Sequence, residues 1–135
     1  MSRILDHVDL RVRNFEQAVP FYRQLLPLLG FTVQVDIPGW LQFEAPGREA
    51  TEFFGVTEDP NHVANHTRVA FWGSSKQHVD DLAQAVRRLG AKNIEGPHLE
   101  GSIHYAVFFE DPSGNALEIC YRPQSFQSTD AQHSR

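Results

Sequence analysis

From Ile4 to Val12 the chain alternates, with Val8, Leu10 and Val12 set against His7, Asp9 and Arg11. This period of two predicts a half-buried strand. Asn14 then offers an N-cap, with Gln17 three residues later in the capping-box position. Phe15, Ala18, Val19, Tyr22, Leu25, Leu26 and Leu29 recur at helical spacing. Pro20 is expected to bend this helix after its first turn, Pro27 to end its regular part and Gly30 to close it. Three short strands follow, at Phe31 to Asp36, Trp40 to Ala45 and Glu49 to Gly55, with Pro38-Gly39 and Pro46-Gly47 between them.

The same order returns in the second half. Val69 and Phe71 alternate with His66, Arg68, Ala70 and Trp72. Ser74 or Ser75 caps a helix with Val79, Leu82, Val86 and Leu89 on one face, and Gly90 ends it. Strands are expected near Ala91 to Glu95, Ile103 to Glu110 and Asn115 to Tyr121. Both halves therefore read β-α-β-β-β. A motif supports the duplication: FEAPGREATEFF from Phe43 matches FEDPSGNALEIC from Phe109, each pair 66 residues apart. On this spacing Glu52 answers Glu118. The organisation expected is a first module over residues 1–57, a linker at 58–65, a second module at 66–123 and a flexible polar tail at 124–135.

One such unit leaves a face of its sheet uncovered, so two should combine. The expected fold is α+β: a curved eight-stranded mixed sheet with helices outside and a cup inside. Val8, Leu10, Val69, Phe71, Leu117, Ile119 and Tyr121 suit the helix side. His7, His66, Arg68, Trp72, Glu118 and Cys120 then face the cup, as does Glu52 by the repeat.

Composition narrows the function. The net charge is −5 and no basic run occurs, which disfavours nucleic acid and anionic membranes. A single cysteine excludes an internal disulfide framework and fits a reducing compartment. No apolar run approaches the ~18 residues needed to span a membrane, and the first strand begins without a secretory leader before it. A cytoplasmic protein is the expectation.

Paired βαβββ modules, the DHVDLRV…FY…LLGF opening and the FFEDPSGNALEI segment together resemble the vicinal-oxygen-chelate superfamily, over about residues 4 to 122. That group includes glyoxalase I, extradiol dioxygenases, fosfomycin-resistance transferases and bleomycin-resistance binding proteins. The resemblance implies a divalent metal (Fe, Mn, Ni or Zn) held by the first and last strands of each module. Residue by residue, it assigns His7, Glu52 and Glu118 to ligand positions, with the two glutamates also as catalytic candidates. The fourth position is usually a His, and here it is Arg68; His66, two residues earlier, is the replacement candidate. It also implies a homodimer and a small-molecule ligand.

Two functions compete on these residues. One is a metal-dependent lyase, isomerase or dioxygenase acting on neighbouring oxygens of a small molecule. The other is a metal-free binding protein, in which Arg68 anchors an anionic group and Trp40, Trp72, Phe54 and Tyr105 line an aromatic cup. His104 and Tyr105 share a strand, so one of them should face the site. Cys120 is read as an inert cup or core residue.

Overall fold

The computed structural model describes residues 3–123; the expected tail at 124–135 lies outside the described residues. Ten elements run in the order β1 (His7–Val12), α1 (Phe15–Leu28), β2 (Val33–Ile37), β3 (Trp40–Glu44), β4 (Phe53–Glu58), β5 (Arg68–Trp72), α2 (Lys76–Arg88), β6 (Lys92–Glu100), β7 (His104–Glu110) and β8 (Ala116–Tyr121). Each half is thus βαβββ. The eight strands form two four-stranded mixed sheets, ordered β1-β4-β3-β2 and β5-β8-β7-β6. In each, the first strand lies parallel to the last and the rest of the ladder is antiparallel.

Both caps form as the side chains suggest. Asn14 Oδ1 accepts from the Gln17 amide at 3.2 Å, and Ser75, rather than Ser74, accepts from the His78 amide at 3.0 Å. The first helix continues through Pro20 and Pro27 as far as Leu28. Proline removes a backbone donor, so the bond that Pro20 would make to the Glu16 carbonyl is lost, while Gln24 Nε2 donates to the Pro20 carbonyl at 3.1 Å. Burial of Phe21, Tyr22, Leu25 and Leu26 holds the helix against that local cost.

The alternation in the sequence sorts the faces correctly in β1 and β5. Val8, Leu10 and Val69 pack against the core and Phe71 enters it, while His7, Asp9, Arg11, Arg68, Ala70 and Trp72 are exposed. The core is continuous across the two modules. Phe54 of β4 lies 5.4 Å from Phe71 of β5, and Phe31 lies 6.5 Å from the same ring. These aromatic contacts join the halves from within.

A polar knot joins them a second time. Asp111, fully buried after β7, accepts four hydrogen bonds: from Tyr22 of α1 (2.5 Å), the Ser113 and Asn115 amides (2.8 and 2.9 Å) and Asn115 Nδ2 (2.9 Å). From the same loop, Asn115 Nδ2 donates to the Arg11 carbonyl at 2.8 Å, and Ser113 Oγ accepts from the Arg13 amide at 2.9 Å. The edge of β1 is therefore tied to the β7–β8 loop. His62 closes the knot by its 2.8 Å contact with Asn115 Oδ1.

Burial first, and then the charge of Asp111, push the Tyr22 phenol well above its usual range. The folded state holds this proton where the unfolded chain releases it. The stabilisation is therefore complete below the free phenol value of 10.0 and is lost as pH rises towards the folded value. Tyr22→Phe should cost about 1.5–3 kcal/mol at neutral pH, the range for a hydrogen bond to a charged group. In urea titrations across pH, the wild-type loss of stability above about pH 10 should be shallower in this variant.

Candidate functional site

The strand registers decide which side chains share a face. In the second module, Ala70 of β5, Glu118 of β8 and Phe108 of β7 form one cross-strand row. Trp72, Cys120 and Ala106 form the next. Both rows lie on the side away from α2, since Phe71, Val107, Leu117 and Ile119 occupy the core side. Arg68 and His104 share this helix-free face by their strand parity.

In the first module the corresponding row is Asp9, Gly55 and Gln42. Gln42 and Phe108 keep the 66-residue spacing of the repeat, but Gly55 and Glu118 are 63 apart. The β3–β4 connection has eight residues (45–52) and the β7–β8 connection five (111–115). The repeat is therefore in register up to the hairpin and three residues out of register beyond it. Because side chains alternate, an odd slip turns every assignment to the other face. Gly55, not Glu52, occupies the place of Glu118.

Expectations change for this reason. Glu52 precedes β4, in the loop, and is exposed; with His7 it lines a cavity of about 510 Å³ beside Phe31, Ala70 and Trp72. Phe54 is 1% exposed and packs on Tyr22 in the core, from where it borders the same cavity. Phe53 lines the helix-free face and stacks on His7, ring centroids 4.3 Å apart. The last strand of the module accordingly spans Phe53–Glu58 and extends into the segment read as linker. Tyr105 is also corrected: its hydroxyl donates to Asp80 of α2 at 2.6 Å, which places it on the helix side. His104 is the one of the pair that faces the site.

His104 Nε2 lies 2.6 Å from Glu118 Oε2. The Glu118 carboxylate is 7% exposed, so this pairing offsets the cost of burying its charge. Cys120 lies beside it on the same strand face; burial, followed by the charge of Glu118, pushes its thiol up. On the same face, beyond Glu118 and opposite Ala116, the Arg68 guanidinium carbon sits 4.7 Å from the centroid of the Phe108 ring. Arg68 makes no ion pair among the described residues. Sequence reasoning missed Phe108, although it shares parity with His104 along β7 and the alternation could have found it.

The four strand positions that the ladder registers relate to one another, His7, Gly55, Arg68 and Glu118, do not supply four donors. His7 presents an imidazole whose Nδ1 contacts Asp6 at 2.8 Å. Glu118 presents a carboxylate already engaged by His104. Gly55 presents nothing, and a Cβ built there would stand 2.6 Å from Trp40 Nε1. Arg68 presents a cation. Trp40 thus fills the space that a carboxylate on β4 would need, and its Nε1 is buried without a partner among the described residues. His66 is exposed, two residues before β5. Among the described residues, His7, Glu52, His66 and Glu118 do not gather ligand atoms within 4.8 Å; His104, Glu118 and Cys120 do.

Residues 4–119 match the Glyoxalase/Bleomycin resistance protein/Dioxygenase superfamily, and the chain belongs to it. Solved structures agree on the fold. A glyoxalase/bleomycin resistance protein from Albidiferax ferrireducens T118 is 25% identical, with 90% of this chain and 100% of that chain covered and a TM-score of 0.74. The genomically encoded fosfomycin resistance protein FosX from Listeria monocytogenes is 15% identical, with 94% and 98% covered and a TM-score of 0.68. A glyoxalase/dioxygenase from Nostoc punctiforme is 18% identical, with 90% and 92% covered and a TM-score of 0.67. Comparison with curated proteins gives no match. No described helix is long and apolar enough to cross a membrane.

The packing of Trp40 over Gly55 is testable. Gly55→Ala should cost about 1–3 kcal/mol through overpacking. Combining it with Trp40→Ala should cost less than the two single changes added together, because the clash is then absent. Additive melting-temperature shifts would show that the indole does not occupy this space.

Proposed function

We propose that this chain is a small-molecule-binding protein whose ligand lies on the helix-free face of the second module. Its anionic group rests on Arg68. The observation that carries this reading is the free guanidinium held over Phe108. A fixed cation with no carboxylate partner, braced by an aromatic ring, is preset for a planar anion such as a carboxylate. Ala70 and Ala106 keep the floor low, and Trp72, 57% exposed, offers an apolar wall. A ligand with a flat apolar body and one anionic end matches these features. The bleomycin-resistance type of binding is the nearer model within the superfamily. A metal-dependent lyase, isomerase or dioxygenase of the cross-module kind would need donors where Gly55 and Arg68 stand.

The test is a panel of aromatic carboxylates against their neutral amides, read by quenching of Trp72 in a Trp40→Phe background. Carboxylates should bind more tightly than amides. Arg68→Met should weaken them about ten- to a hundredfold, the value of a charge-assisted contact, and leave the amides unchanged. Equal affinity for both series would reject the anchor.

A homodimer is the expected assembly. Strands β1, β2, β5 and β6 end their sheets, and Leu5 and Leu99 are 69% and 48% exposed. Open edges and bare apolar residues favour burial against a second copy. Light scattering should report twice the chain mass at micromolar concentration, and a monomer mass there would count against the assembly.

A further inference from the structure

We infer that His104, Glu118 and Cys120 form a binding site for one thiophilic divalent cation, with zinc the best match to the donors. This trio differs from the set that the superfamily resemblance implies. It lies within one module, on two neighbouring strands, and needs nothing from His7 or the first sheet.

Glu118 and Cys120 are two apart on β8, so the strand period puts them on one face. His104 reaches them from the start of β7. One ligand atom from each lies within 4.8 Å of the other two. Glu118 and Cys120 are 7% and 8% exposed, while the His104 side chain keeps 31%. The wall of the site is therefore shielded, and its mouth is open at His104, at the far end of the strands from Arg68. A sulfur, an imidazole nitrogen and a carboxylate oxygen make a mixed set that suits zinc and disfavours magnesium or calcium, which prefer all-oxygen shells.

Before binding, His104 Nε2 and Glu118 Oε2 are in hydrogen-bond contact at 2.6 Å. A bound dication replaces the hydrogen in that contact, and the Cys120 thiol releases its proton to solvent as its sulfur becomes a ligand. Zinc–ligand bonds of about 2.0–2.3 Å at tetrahedral angles set donors roughly 3.4 Å apart. The His104–Glu118 contact must therefore open by a little under ~1 Å on binding, and His104 is the more exposed partner, at 31% against 9%. Three protein ligands leave the fourth position on the open side. The site stands whether or not an anion binds Arg68.

The test uses the full chain stripped by a chelator and titrated with Co²⁺ under reducing conditions. One equivalent should bind, with the near-ultraviolet band of a thiolate–cobalt bond and the visible bands of a tetrahedral ion, and Zn²⁺ should displace it. Cys120→Ser should abolish the thiolate band, and His104→Ala should weaken binding at least tenfold. Melting curves check that each variant is folded, and only the wild type should gain a large Zn²⁺-dependent rise in Tm. Absence of the thiolate band in folded wild-type protein would overturn the inference. So would cobalt binding that His7→Ala abolishes and Cys120→Ser leaves intact, because the ion would then belong to the cross-module set.

Discussion

The buried carboxylate of Asp111 is the constraint on which the rest of the structure depends. A charge with no exposure is tolerated only when its lone pairs are filled, and four donors fill them. One donor comes from the helix of the other module. The same loop holds the edge of β1 through Arg11 and Arg13. Loop shape, module packing and the position of β8 are thereby coupled. Since β8 carries Glu118 and Cys120, the geometry of the site follows from a contact on the opposite side of the sheet. Neither half of the chain is self-sufficient: a fragment lacking α1 would leave Asp111 short of a donor, and one lacking the loop would strand the Tyr22 hydroxyl in the core.

Much of the fold was legible because the periods are clean. Val8 and Leu10 against His7 and Asp9, or Val69 and Phe71 against Arg68 and Ala70, leave one choice of face. Asn14 and Ser75 announce their helices through side-chain oxygens that have a local use. In the first helix Pro27 and Gly30 mark the end to within a residue, at Leu28, while burial of Phe21, Tyr22, Leu25 and Leu26 carries the helix on past Pro20.

The site was less legible, and the reason is specific. The repeat is real, but it was extended across a hairpin whose two copies differ in length. Glu52 and Glu118 look alike in sequence because each stands two residues after an alanine, Ala50 and Ala116, and precedes apolar residues. Only the ladder shows that Phe53 faces His7 and that Gly55 stands where Glu118 does. Tyr105 and His104 presented a different limit. Alternation says that neighbours face opposite ways, and nothing in the sequence says which of them meets Asp80. The role of Asp111 was hidden for a third reason: DPSGN reads as a turn, and its carboxylate acts on a tyrosine 89 residues away.

The row of Asp9, Gly55 and Gln42 and the row of Ala70, Glu118 and Phe108 occupy matching places in a duplicated scaffold. Two identical modules would present two equivalent faces, and a small molecule could settle on either. Here one row is roofed by an indole over a glycine, and the other carries a buried acid beside an aromatic ring that supports a cation. The duplication has lost its degeneracy. In the first module the cation Arg11 is paired with Asp9, while Arg68 in the second rests on an aromatic ring without an ion pair among the described residues, so the proposed binding reading predicts one anion seat per chain and a ligand held in one orientation.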